Sequence, residues 1–304
     1  MKNIYSLFVG LSILFLSGKV NSQDLDVLLN AETKPTINYT MATFKASRII
    51  TGHSIQQMKK KQLDFRISHR FETLNEGAYG LWGLDHSNIH FSFEYGVKDW
   101  LMLGVGRGSL NKIYDGFAKF RILRQSTGAK TMPVSLSYFT SMEITSEHFP
   151  TTPIYLTEST STPRINYSSS RFTYINQIII ARKFNDKFSF QLTPSWVHRN
   201  LVPTELDLND LIALGFGARY KLTKRMSLNA EYYYKIEPNA KYLEPRTYNS
   251  ASVGIDLETG GHVFQIMLSN SIGMREGIFI PQTTDSWTNG GIHLGFNISR
   301  VFTL

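Results

Sequence analysis

The chain contains no cysteine, which excludes a disulfide framework, thiolate metal sites and cysteine nucleophiles together. It is poor in charge, with Asp, Glu, Lys and Arg making up 18% of 304 residues. No run of about 18 apolar residues follows the N-terminus, so no transmembrane helix is encoded there. The Gly-x-Ser-x-Gly elbow of serine hydrolases is missing, and no HExxH or HxxxH pair lies on a predicted helix. Basic residues form only one run, Lys59, Lys60 and Lys61, which argues against a nucleic-acid-binding face or tail.

What the chain does hold in excess is aromatic side chains, 13% of the residues, with 20 Phe and 15 Tyr. Residues 1–22 have the layout of a cleavable signal peptide: Lys2, an apolar stretch from Leu7 to Leu16, and a small-residue cleavage pattern at Val20, Asn21 and Ser22. The mature chain is expected to begin at Gln23. Losing Lys2 and Lys19 lowers the formal net charge of +8 by two, to +6. No cysteine follows the apolar stretch, so a lipoprotein anchor is excluded.

From residue 62 onward the dominant period is two. Ile89, Phe91, Phe93, Tyr95 and Val97 alternate with His90, Ser92, Glu94 and Gly96. Such segments predict strands near 62–71, 88–97, 100–107, 114–123, 133–142, 171–182, 187–197, 210–222, 225–236, 249–257, 262–270 and 290–304. Each is about the length a tilted strand needs to cross a bilayer. Tight connections (Lys98-Asp99, Asn185-Asp186, Thr223-Lys224, Thr259-Gly260-Gly261) alternate with long ones near 72–87, 143–170, 237–248 and 271–289. That phase fits an outer-membrane barrel with short periplasmic turns and longer outward loops. Trp100, Tyr95, Tyr114, Tyr138, Phe172, Tyr174, Trp196 and Tyr220 fall mostly towards strand ends on the apolar parity, as interfacial girdles require. The predicted fold is an all-β, antiparallel up-and-down barrel of about 12 strands over residues 61–304.

Several pieces between Phe44 and Lys119 carry a resemblance. They include Phe44-Lys45-Ala46-Ser47-Arg48 with Gly52-His53, Leu63-Asp64-Phe65-Arg66-Ile67-Ser68-His69-Arg70-Phe71, Gly83-Leu84-Asp85, Glu94-Tyr95-Gly96, Gly104-Val105-Gly106-Arg107 and Tyr114-Asp115-Gly116-Phe117-Ala118-Lys119. The chain resembles a family of outer-membrane β-barrels of unknown function common in Bacteroidota. The resemblance implies a barrel and an envelope address, and it implies no substrate. The final strand, with Ile298, Phe302 and Leu304 on one parity, is similar to the signal such barrels present to their insertion machinery.

If the apolar parity faces lipid, the other faces the lumen. That points Asp64, Arg66, Ser68 and Arg70 inward, with His90, Ser92 and Glu94, then Asp115, Phe117, Lys119 and Arg121. Later strands add Gln177, Gln191, Arg219, Glu231, Lys235 and Asp256. Such mixed charges either set a pore's selectivity or close a narrow barrel as a paired network; both readings stay open, with the network slightly favoured. His53, His69, His86 and His90 are expected not to converge on a metal or haem, because His69 falls on the outward parity and His90 on the inward one. Gly104 and Gly106 read as small residues on a pleated inner face rather than a phosphate loop. Residues 23–60 lack sustained alternation; they read as a periplasmic tail or inward plug, or as extra strands raising the count towards fourteen. Asp24 to Leu29 suggests a helical turn.

The expected function is a passive outer-membrane channel or small-ligand transporter. A non-conducting scaffold that binds periplasmic proteins is the alternative from another class, and a soluble secreted β-protein ranks third. No cofactor, catalytic group or nucleic-acid partner is expected; the expected partners are outer-membrane lipid, the insertion machinery and either a small solute or a periplasmic protein.

Overall fold

A computed structural model describes residues 36–148, 167–202, 207–236 and 247–304. The expected signal peptide at 1–22, the helical turn at Asp24 to Leu29, and parts of the long connections 143–170 and 237–248 lie outside the described residues.

The alternation in the sequence becomes an inside-out burial pattern. On strand β3 (Ser87–Lys98) the apolar Phe93 is 48% exposed while its neighbour Glu94 is 0% exposed. On β2 (Gln62–Thr73), Asp64, Arg66, Ser68 and Arg70 are buried while Leu63, Phe65 and Ile67 lie on the opposite face. A soluble sandwich would invert this, because water expels apolar side chains from its outer surface. Lipid accepts them, and the polar parity then turns to the interior.

Twelve strands close the barrel, each antiparallel to its neighbours. After β2 and β3 come β4 (Leu101–Gly108), β5 (Ile113–Leu123), β7 (Ser135–Thr145), β8 (Phe172–Lys183), β9 (Phe188–Arg199), β10 (Asp210–Lys221), β11 (Met226–Ile236), β12 (Ser250–Thr259), β13 (His262–Ser269) and β14 (His293–Thr303). The seam is β14 against β2, so every edge is satisfied, as a bilayer demands of a strand. All twelve coincide with the segments expected from period two. The remaining strands, β1 (Ile37–Tyr39) and β6 (Ser126–Gly128), pair only with each other and add nothing to the barrel count.

Local chemistry fixes the tight turns. Between β12 and β13, Gly260 and Gly261 both have positive φ, 52° and 88°, the requirement of the two-residue hairpin turn whose twist matches its strands. The Asn185 carboxamide oxygen accepts from the Lys187 and Phe188 amides at 2.9 and 2.8 Å, and the Thr223 hydroxyl oxygen accepts from Arg225 and Met226 at 3.2 and 3.0 Å. Both replace a backbone turn bond with a side-chain one. Trp100 and Tyr220 stand exposed near this tight-turn end, and Tyr114, Tyr174 and Trp196 near the long-loop end.

Two segments fill the interior. From the tight-turn end, residues 43–57 enter as a small hairpin bridged between Arg48 and His53, with Ile49 N–H donating to Gly52 at 2.9 Å and Ser54 N–H to Ser47 at 2.8 Å. From the opposite end, the β13–β14 connection turns back into the barrel, burying residues 273–281 around a one-turn helix α1 (Glu276–Phe279). This departs from the outward loop expected at 271–289. The cause lies in its composition, since Ile278, Phe279 and Ile280 would be expelled by water; Phe279 and Ile280 join Phe44, Ile49, Ile50 and Ile55 of the other insert in a lumenal core against Ile175, Ile179, Val197 and Leu211.

Candidate functional site

The lumen is asymmetric around its circumference. Its β8–β10 side presents Ile175, Ile179, Ala181, Val197, Leu211 and Ala213, whereas β2, β3 and β5 present Asp64, Arg66, Arg70, Glu94, Asp115 and Lys119, all buried. Room for the larger groups comes from β4. A Cβ on Gly104 would stand 2.2 Å from the Phe117 ring, and one on Gly106 would stand 2.6 Å from the His90 ring.

The wall charges reach the N-terminal hairpin more than they reach one another. Lys119 Nζ donates to the carbonyls of Ser54 and Gln56, each at 2.5 Å. Arg66 donates to Ser47 Oγ at 3.0 Å and to Asp64 at 3.1 Å, and Arg70 to Thr51 Oγ1 at 3.3 Å and Asn297 at 3.1 Å. Arg219 donates to the Ala42 carbonyl at 3.0 Å. The Glu231 carboxylate accepts from three consecutive amides at the hairpin tip, Ile50 at 3.2 Å, Thr51 at 3.3 Å and Gly52 at 3.0 Å; convergent N–H groups of this kind form an anion-holding nest. Neutral amides complete the grip. Gln191 bonds the Ile55 N–H and His53 carbonyl at 2.8 and 2.7 Å, and Gln265 and Asn297 donate to Ile49 and Ile50 carbonyls at 2.8 Å.

A second cluster ties the returning loop. Arg275 pairs with Asp115 at 2.9 Å, Asp115 accepts from His90 Nε2 at 2.6 Å, and the Gly277 N–H donates to Glu143 at 3.1 Å. The two inserts meet where Arg48 Nη1 lies 3.3 Å from Glu276, while also donating to the Thr51 carbonyl at 2.7 Å. Glu94 approaches the same guanidinium at 3.8 Å. Burial pulls the Arg275 guanidinium down, but Asp115, Glu276 and Glu143 outweigh it and raise it above its ordinary value. Burial, with Arg48 and Lys119 close by, pushes His53 well below the usual imidazole range, and the neutral ring packs 4.7 and 4.2 Å from Phe117 and Phe139.

Ten of the eleven charged positions read from strand parity are therefore buried inside: Asp64, Arg66, Arg70, Glu94, Asp115, Lys119, Arg219, Glu231, Lys235 and Asp256. Arg121 is the exception; it sits at the tight-turn rim, half-buried, with Nη1 donating to the Asp99 carbonyl at 2.7 Å. The sequence reading missed Arg48, Glu143, Arg275 and Glu276. Glu143 follows the inward parity of β7 and was legible; the other three lie in segments without periodicity. Of the histidines, His69 faces outward against Phe296, with ring centroids 4.8 Å apart, and His86 is exposed. Among the described residues no three His, Asp or Glu side chains gather as a metal site.

A family model described as a membrane bound beta barrel domain, DUF5777, matches residues 44–302. The chain belongs to this family. The match begins at Phe44, so it takes in the buried hairpin as well as all twelve barrel strands. Among solved structures, the DUF5777 chain is similar in fold to the KdgM porin, at 10% identity and a TM-score of 0.44 over 80% of this chain and 99% of that one. It is also similar to an outer membrane channel from Pseudomonas putida F1 (10% identity, TM-score 0.45, 85% and 100% covered) and to the outer membrane phospholipase A from Escherichia coli (11%, 0.42, 86% and 98%). No curated protein matches.

Proposed function

We propose that this membrane-bound barrel is a plugged passive channel or small-ligand transporter of the outer membrane of a Bacteroidota cell, without catalytic activity of its own. Residues 1–22 export it, the last strand addresses it to the insertion machinery, and the tight turns face the periplasm. One observation carries the reading. The hairpin of residues 43–57 is held mainly by wall amides and charges bonded to its backbone, and water satisfies such groups equally well once the hairpin leaves. Withdrawal therefore exposes a hydratable wall along β2, β3 and β5, while parting Phe44, Ile49, Ile50 and Ile55 from the apolar β8–β10 side sets the cost of opening.

Planar-bilayer recordings test this. The mature chain is expected to give small or intermittent currents, and a chain with residues 43–57 replaced by a Gly/Ser segment of equal length to give large, steady ones. No current from either would exclude a channel. The second reading, a non-conducting scaffold for a periplasmic protein or other partner, draws on the filling of the lumen from both ends. It gains if both chains are silent and a periplasmic partner is lost only when the hairpin is replaced.

A further inference from the structure

The two ends of the barrel differ in charge. Among the described residues the tight turns carry Lys98, Lys187, Lys224 and Arg225 against Asp99 and Asp186, while the loop end carries Glu72, Glu76, Asp85, Glu147, Asp207 and Asp285 against Lys112 and Arg171. At the tight-turn end, between the β1–β6 sheet, the hairpin's exit and the β3–β4 turn, lies a cavity of about 610 Å³. Lys59, Arg121, Arg124 and Lys130 line it with a single carboxylate, Asp99. None of these four cations forms an ion pair among the described residues. Asp99 is turned partly to the backbone, accepting from the Lys60 N–H at 3.2 Å.

Both guanidiniums are fixed by neutral contacts. Arg121 is held by the Asp99 carbonyl at 2.7 Å. Arg124 lies over the Tyr39 ring, 4.5 Å from its centroid, with Nη2 against the Met41 sulfur at 3.0 Å. Their positions are set without their charge being cancelled, the arrangement that lowers the ordering cost of binding an anion. Trp100 and the buried Gln57 also line the cavity, and the Gln57 carboxamide oxygen has no protein partner.

We propose that this cavity is a binding site for a phosphate-bearing ligand. A phosphate brings up to two negative charges and several acceptor oxygens to donors on different elements, which matches four cations better than a single carboxylate does. The phosphate comes either from the headgroup of a lipid in the adjacent leaflet or from a soluble phosphorylated molecule. The site does not depend on conduction, since it lies outside the packed part of the lumen.

The test is calorimetry and tryptophan fluorescence on the full mature chain in a neutral detergent, titrated separately with inorganic phosphate and with short-chain phosphatidylglycerol, against short-chain phosphatidylcholine. Saturable binding of phosphate identifies a soluble source; saturable binding of phosphatidylglycerol alone identifies a lipid source, and either supports the site. R121Q/R124Q is expected to weaken binding by about tenfold or more, as loss of two charge-assisted donors does. K130Q, on an exposed turn, is expected to weaken it less and guards against misfolding of the double variant. W100F should abolish the fluorescence change and leave the calorimetric binding in place. No saturable binding of either probe, or equal affinity in wild type and both charge variants, would overturn the proposal.

Discussion

The two segments that fill the barrel are held by different chemistry. The N-terminal hairpin is gripped through its backbone, by Gln191, Gln265, Asn297, Lys119 and Glu231 from separate strands. The returning loop is gripped through its side chains, chiefly Arg275 on Asp115, Glu276 on Arg48, and Phe279 edge-on to Tyr233 at 5.0 Å. A backbone grip spreads modest bonds over many wall residues and tolerates sequence change in the insert. A side-chain grip concentrates the interaction in a few buried charges, where loss of one partner leaves the other stranded.

The largest expected effect follows from that concentration. Asp115→Ala strands Arg275 and is expected to cost about 3–5 kcal/mol of stability, with hydrogen exchange rising across 271–283 and little changed at 47–54. Asp115→Ala with Arg275→Met should recover part of the loss; equal exchange in both inserts would dissolve the distinction. Glu231→Ala is expected to cost about 2–3 kcal/mol by freeing three amides from a charged acceptor, and here protection should fall at 49–53 while the loop holds.

Acid sharpens the comparison from the hairpin side. His53 is held neutral by burial and by Arg48 and Lys119, so below its ordinary value of 6.5 the unfolded chain binds more protons than the folded one. Stability is therefore expected to fall as pH drops through 6.5, by up to about 1.4 kcal/mol per unit, until the buried ring itself protonates. Thermal melts of wild type and His53→Phe from pH 7.5 to roughly 5 check this; parallel curves would remove His53 as the origin. The smallest effect is expected from Gln282→Ala in the returning loop, about 1 kcal/mol, the ordinary worth of the neutral hydrogen bond it donates to the Gly277 carbonyl at 3.2 Å, read in the same melts.

Much of the fold was legible because a bilayer leaves a strand few choices. Phe91 and Phe93 beside Ser92 and Glu94 can be arranged in lipid only one way, and Gly260-Gly261 can hardly be other than a hairpin turn. The inward parity of Asp64, Arg66, Arg70, Glu94 and Lys119 followed from the same constraint. Their partners did not follow, because residues 43–57 and 271–283 carry no period to read, and the hairpin bonds mostly through backbone atoms common to every residue. Arg121 was misplaced inside the lumen because parity reports a face and not a depth; β5 ends at Leu123, which leaves Arg121 at the rim. The run Ile278-Phe279-Ile280 inside a supposedly solvent-facing loop was the one available sign that this segment turns inward.

The pairing of Ile37–Tyr39 with Ser126–Gly128 fastens the chain just before it enters the barrel, while β2 fastens it just after. The hairpin is thus a loop anchored at both ends rather than a free cork. A pull applied to the N-terminus loads three short rungs before any tension reaches Glu231 or Gln265. The little sheet is the first element in that load path, ahead of the hairpin's own grip on the wall.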